Sequence, residues 1–302
     1  MNITEISKKI HTLKREKNVL ILAHNYQSLE IITIADLIGD SFQLSKAALE
    51  ITADIILFCG VRFMAETAKL LNPNVKVLLS DGDAGCPMAD MALSSEIKKY
   101  KDEHPQHLIV TYVNSSVEVK ALSDVCVTSS NAVKIVQKLP LNQTILFVPD
   151  QNLGHYVRQQ TKRKINLWGG FCPIHHSNIT INDVNKARLV YQGYKIIVHP
   201  ECLPEVVNMA DFVGSTRELA DYVDTHERVI IGTEIGLVQM LQEKYPTKSI
   251  YALSDKAICP NMKKTSLNDV LNTLQYEMNE IIITPNIAEN ALLPIQKMME
   301  LG

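Results

Sequence analysis

Short apolar runs rich in β-branched residues alternate with longer amphipathic stretches along this chain. Val19–Ala23, Ile55–Cys59 and Val75–Leu79 have the length and continuity of strands buried on both faces of a parallel sheet. Between them, Ser41–Glu50 and Val61–Leu71 place apolar residues at helical spacing. Strand alternating with helix predicts βαβ units in an α/β fold. The last forty residues or so read as a helix over Ser266–Gln275, a strand over Ile281–Thr284 and a final helix over Ile287–Leu301.

The pattern repeats, and the repeat carries polar residues with it. An apolar run ends in His24-Asn25-Tyr26, then in Tyr112-Val113-Asn114, then in His199-Pro200-Glu201, at spacings of 88 and 87 residues. Shortly after each comes an Asp-containing segment leading to a hydroxyl: Ser41, Ser129 and Thr216, again 88 and 87 apart. Each unit closes on a cysteine followed by proline, at Cys86, Cys172 and Cys259, with spacings of 86 and 87. Three motifs in one order at one period define homologous units near 1–88, 89–175 and 176–262, with an extension over 263–302 expected to pack back on the first.

Ligands of open α/β sheets bind beyond the carboxyl ends of the strands. His24, Tyr112 and His199 directly follow strands. Ser41, Ser129 and Thr216 stand where helices begin and free N–H groups favour an anion. A plain helix cap is the alternative reading of each hydroxyl. Three units around a pseudo-threefold axis would aim these loops, and the three cysteines, at one point. Thiolates from distant segments suit zinc or an iron–sulfur cluster. Cys172-Pro173-Ile174-His175 supplies a Cys-x2-His option for zinc, whereas three cysteines on a cluster would leave one iron without a protein ligand. Cys59 and Cys126 read as small core residues, and Cys202 has no repeat partner.

Composition narrows the field. A net charge of −3 gives no reason to expect a nucleic-acid partner. The apolar runs are far too short to span a membrane, and the polar, lysine-rich start does not resemble a targeting segment. A cytoplasmic protein is expected, in which six cysteines point to metal binding or catalysis rather than disulfides.

The ordered motifs AHNYQ (23–27), GDS (39–41), GCPMAD (85–90), YVNSS (112–116), TSSNAV (128–133), PDQNLG (149–154), CP-x-H (172–175), HPEC (199–202), GST (214–216), GTEIG (232–236) and CPNMKK (259–264) cover nearly the whole chain. In these the sequence resembles the quinolinate synthase family of NAD biosynthesis. The resemblance implies three α/β/α sandwich domains with parallel sheets around a pseudo-threefold axis, and a [4Fe–4S] cluster on Cys86, Cys172 and Cys259 whose open iron acts as a Lewis acid. It implies condensation of iminoaspartate (iminosuccinate) with dihydroxyacetone phosphate to quinolinate, phosphate and water. L-aspartate oxidase or aspartate dehydrogenase would supply the imine. Substrate-binding positions would fall on His24, Ser41, Tyr112, Val113, Asn114, Ser129, His199, Pro200, Glu201 and Thr216. Glu201 and His199 are expected to form an acid–base pair, with His24, Tyr26 and Tyr112 sharing the catalytic work. A hydro-lyase of small hydroxy acids on the same cluster, or a zinc-stabilised binding module, are the competing readings.

Overall fold

The computed structural model describes residues 2–49 and 52–302. The first unit runs α1 (Ile3–Glu16), β1 (Val19–His24), α2 (Leu29–Ile32), β2 (Leu37–Gly39), α3 (Ser41–Ala48), β3 (Ile55–Cys59), α4 (Arg62–Leu71), β4 (Lys76–Leu79) and α5 (Pro87–Asp90). The second repeats this as α6 (Ser94–Glu103), β5 (Leu108–Tyr112), α7 (Val117–Lys120), β6 (Val125–Val127), α8 (Ala132–Lys138), β7 (Ile145–Val148), α9 (Gln151–Thr161), β8 (Ile165–Leu167) and α10 (Pro173–Asn178). The third has α11 (Ile181–Val190), β9 (Lys195–Val198), α12 (Pro204–Met209), β10 (Phe212–Val213), α13 (Thr216–Asp224), β11 (Arg228–Gly232), α14 (Ile235–Lys244) and β12 (Ser249–Ala252). Helices α15 (Leu267–Tyr276) and α16 (Pro285–Leu301) follow. The helix expected to reach Glu50 ends at Ala48; Glu50 lies outside the described residues.

Each unit forms one parallel four-stranded sheet, in the orders β2-β1-β3-β4, β6-β5-β7-β8 and β10-β9-β11-β12. The register repeats as well: Leu22 pairs with Leu37, Val110 with Val125, and Ile197 with Phe212. One recurring aspartate enforces it. Asp36, Asp124 and Asp211 accept the N–H of Ile21, Ile109 and Ile196 at 2.7, 2.7 and 2.8 Å. Their own N–H groups donate to the carbonyls of the same three isoleucines, so each aspartate clamps the edge strand to its neighbour.

Both faces of each sheet are buried, as the unbroken apolar runs require. In the first sheet Leu22, Ile56 and Phe58 face α3 and α4, while Ile21, Ile55 and Leu57 join Ile6, Ile10, Leu267 and Leu271 from α1 and α15. The α8–α9 face of the second sheet (Val110, Phe147) and the α13–α14 face of the third (Ile197, Ile231) belong to the same core as the α3–α4 face of the first. Equivalent faces of three α/β/α sandwiches therefore merge into one central core, the packing basis of the pseudo-threefold arrangement.

The tail departs from expectation in two places. Ile281–Thr284 is not a strand: Ile281 N–H donates to Val77 and Leu79 N–H to Asn279, around a single antiparallel bridge from Leu78 to Glu280. Left-handed Glu277 and Asn279 (φ 52° and 59°) turn the chain just before it, and Pro285 starts a helix just after. The tail also divides instead of lying wholly on the first unit. α15 packs on α1, but α16 lies against α7, β6, α8 and α4, where Ala291, Ile295 and Met298 enter the central core. The outer face of the first sheet is already covered by α1 and α15. No helix among the described residues is long and apolar enough to cross a membrane.

Candidate active site at the junction of the three units

In each sheet the chain leaves the first strand of the unit toward one edge and later returns on its other side. This creates a switch point between β1 and β3, β5 and β7, β9 and β11. The loops at these strand ends meet around a cavity of about 140 Å³. His24, Tyr112 and His199 reach it from β1, β5 and the end of β9, and Tyr26, Asn114 and Glu201 follow two residues later. Asn114 Oδ1 is buried and has no hydrogen-bond partner among the described residues, as befits a group kept for a ligand. Val113 and Pro200 do not line this cavity. Both are buried, because the chain turns there and sends alternate side chains away from the opening.

Ser41, Ser129 and Thr216 also line it. The capping alternative fails for Ser41 and Thr216. Asp40 caps α3 by accepting from Phe42 and Gln43, and Ser215 caps α13 by accepting from Glu218, so Ser41 and Thr216 occupy the first helical position with their hydroxyls free for other partners. Ser129 sits in the turn before α8. Burial raises the Asp40 carboxyl above its ordinary range, against the Gln43 and Phe42 N–H groups that favour its anion.

A buried hydrogen-bond chain runs across the units. Glu201 accepts from Tyr112 O–H at Oε1 (2.7 Å), and His175 Nδ1 lies 2.7 Å from its Oε2 and 3.3 Å from Cys172 Sγ. His175 Nε2 bonds Thr233 Oγ1 (2.8 Å), Thr233 bonds Tyr26 O–H (2.7 Å), and Tyr26 bonds Thr216 Oγ1 (2.9 Å). Burial alone would raise the Glu201 carboxyl, but His199, His175 and these hydrogen bonds outweigh it and hold it at about 2. Burial pushes His24 and His199 down to about 3, against the pull of Glu201. Their Nδ1 atoms accept from Tyr26 N–H (3.1 Å) and Glu201 N–H (3.3 Å), so each ring carries its proton on Nε2. His199 is thus a neutral donor stacked on His175, ring centres 4.8 Å apart. Its Nδ1 lies 3.9 Å from Glu201 Oε2, so the expected Glu201–His199 pair is joined by His175, whose Nδ1 stands closer at 2.7 Å.

Cys86, Cys172 and Cys259 line the same cavity, one from each unit. Their backbone settings match. The carbonyl two residues upstream accepts from the first residue of α4, α9 or α14: Arg62 N–H to Ala84, Gln151 to Gly170, Ile235 to Ala257, at 2.8, 2.8 and 2.9 Å. Each cysteine carbonyl closes a turn with the N–H four residues on, from Asp90, His176 and Lys263. The proline after Cys86 and Cys172 suits the first turn of α5 and α10 and holds the cysteine extended. Burial lifts the Cys86 thiol to about 12 and raises Cys172 and Cys259, so a metal bound by them must displace their protons. No other cysteine lines the cavity among the described residues; Cys59, Cys126 and Cys202 lie in the apolar cores. Three soft sulfur donors on one cavity fit an iron–sulfur cluster with one position left open. Cys172, His175 and Glu201 also bring ligand atoms within 4.8 Å of one another.

Several members of the site carry no recurrent signal in the sequence. His175 stands out there only as a zinc option, and Thr233 lies inside the GTEIG motif without a repeat partner of its kind. Asp150 and Glu234 follow β7 and β11 at the position of Val61 after β3, and the apolar Val61 masked the correspondence. Lys263, which the sequence marks only as part of CPNMKK, is tied into the site through the Tyr26 carbonyl and Glu234.

Three equivalent α/β units gathered around one cavity, with a thiol from each and a buried carboxylate among polar groups, make up the active centre of an α/β enzyme that takes a small polar reactant. A family model described as quinolinate synthetase A protein matches residues 8–300. Proteins named quinolinate synthase are 50% identical in Caldicellulosiruptor saccharolyticus (100% of both chains), 47% in Clostridium acetobutylicum (98% of both) and 43% in Aquifex aeolicus (99% of this chain, 95% of the relative). The chain belongs to the quinolinate synthetase A family.

Proposed function

We propose that this chain is a cytoplasmic, iron–sulfur-dependent enzyme that condenses iminoaspartate with dihydroxyacetone phosphate, releasing quinolinate, phosphate and two waters, in NAD biosynthesis. The observation that carries the reading is the meeting of three cysteines, one per unit, with the Glu201 hydrogen-bond chain on a single cavity. Cys86, Cys172 and Cys259 would hold a [4Fe–4S] cluster, which when bound supplies a Lewis acid to a substrate oxygen. The protein's own groups account for binding and proton transfer. Ser41, Ser129 and Thr216, each at or just before a helix start, suit carboxylate and phosphate oxygens. Asn114 Oδ1, left without a partner, suits the N–H of the imine. His24 and His199 donate from Nε2 to developing oxyanions. Glu201, ionised and buried, is the base that takes a carbon-bound proton, and the His175–Thr233–Tyr26 relay passes protons across the cavity. An aspartate oxidase or aspartate dehydrogenase supplies the short-lived imine.

A second reading rests on the Cys172–His175–Glu201 cluster, which could hold a single zinc ion. Anaerobic purification separates the two. The first gives a brown protein with about four irons per chain that forms quinolinate from oxaloacetate, ammonia and dihydroxyacetone phosphate, and Cys86→Ser abolishes its iron. A colourless zinc protein, or normal iron in Cys86→Ser, defeats it.

A further inference from the structure

The three cysteine loops share a backbone plan but not its polar supports. In the second unit the Cys172 N–H donates to Asp150 Oδ2 at 3.0 Å, and in the third the Cys259 N–H donates to Glu234 Oε1 at 3.1 Å. Val61 stands at the equivalent place in the first unit and offers no acceptor. Glu234 alone is paired with a cation. Lys263 Nζ lies 3.3 Å from its Oε1 and 3.4 Å from its Oε2, and also donates to the backbone carbonyl of Tyr26 in the first unit. Glu234 is fully buried and the Lys263 side chain is 23% exposed, so the pair is shielded from water. Gly236 makes room for it: a Cβ there would sit 2.6 Å from Lys263 Nζ, 2.7 Å from the Tyr26 carbonyl and 2.8 Å from Glu234 Oε2. Lys263 is also the residue whose N–H closes the turn onto the Cys259 carbonyl.

We propose that Lys263 and Glu234 are positioning residues that fasten the Cys259 loop across the seam between the third and first units. They fix the third sulfur relative to Cys86 and the Tyr26 end of the proton relay. One side-chain pair thus couples metal retention to relay geometry. Lys263 supplies a charge at a fixed distance, Glu234 accepts from the Cys259 N–H, and Gly236 keeps the gap open.

The inference rests on the cluster reading given above, and its test separates the two. Anaerobically purified wild type, Lys263→Met, Lys263→Arg and Glu234→Gln are compared for far-UV circular dichroism, iron and sulfide content, rate of iron release to a chelator, and the EPR spectrum of the reduced centre. The expected result is native circular dichroism throughout. Iron release accelerates about tenfold or more in Lys263→Met and Glu234→Gln, as for loss of an outer partner of a metal ligand, with an altered EPR line shape. Lys263→Arg restores most of the retention. Wild-type release rates and spectra in both Lys263→Met and Glu234→Gln would overturn the fastening role while leaving the cluster standing. A wild type without iron and sulfide would remove the cluster reading, and this inference with it.

Discussion

At the scale of single residues, burial decides which groups can exchange protons. Glu201 keeps its charge in the interior because His199 and His175 lie beside it and Tyr112 O–H donates to it at 2.7 Å, and a charged acceptor makes such a bond strong. His24 and His199 are held neutral by the same burial that threatens Glu201, so they act through Nε2–H and not as ready acids. Glu201→Gln should therefore lower turnover by about 10²–10⁴-fold, the usual worth of a general base, with iron content unchanged. Turnover of the variant within a few-fold of wild type would take Glu201 out of proton transfer. Most of this site was legible in the sequence, because the repeat marks equivalent strand ends. What it could not mark are residues whose role comes from asymmetry. His175, Thr233 and Lys263 matter because one unit differs from the others there, and a search for recurrence passes over such positions.

At the scale of elements, the starts of α3 and α13 separate two jobs that a hydroxyl can perform. Ser215 spends its oxygen on the Glu218 N–H and stands outside the helix, while Thr216 at the first helical position faces the cavity. Ser215→Ala should cost about 1 kcal/mol of stability, read as a lower urea midpoint, with KM little changed. Thr216→Val should raise KM and leave the midpoint near wild type. The reverse pattern would show that Thr216 is the cap that matters. The sequence led to the hydroxyl one residue late for capping because Asp40-Ser41 and Ser215-Thr216 each offer two polar candidates, and only backbone geometry distinguishes them. Strand positions were easier to read, since β3 is wholly apolar, β1 is apolar up to His24 and β4 is apolar after Lys76. Ile281–Thr284 misled for the same reason. It is apolar enough for a strand, but the left-handed residues before it and Pro285 after it leave room for only a single bridge.

At the scale of the whole molecule, gathering the functional groups at one junction makes the fold sensitive to acid. Folded His24 and His199 hold their protons only near pH 3, whereas an unfolded histidine takes one up near 6.5. Between those values the unfolded chain binds more protons than the native one, so stability is complete above about pH 6.5 and declines as the pH falls. Each group should lose about 2 kcal/mol between pH 7 and pH 5, from about 1.4 kcal/mol per pH unit once the unfolded histidine titrates. Glu201 acts in the same direction, but only below its ordinary value of 4.5, so the window from 7 to 5 isolates the histidines. Urea midpoints at the two pH values, taken anaerobically for wild type, His24→Gln and His199→Gln, measure this directly. Each variant should recover about half of the loss seen in wild type, and comparison between variants cancels any acid sensitivity they share. Equal losses in all three proteins would show that the native state already accepts those protons at pH 5. The central cavity would then be wetter and more polar than a junction sealed by three packed sheets allows.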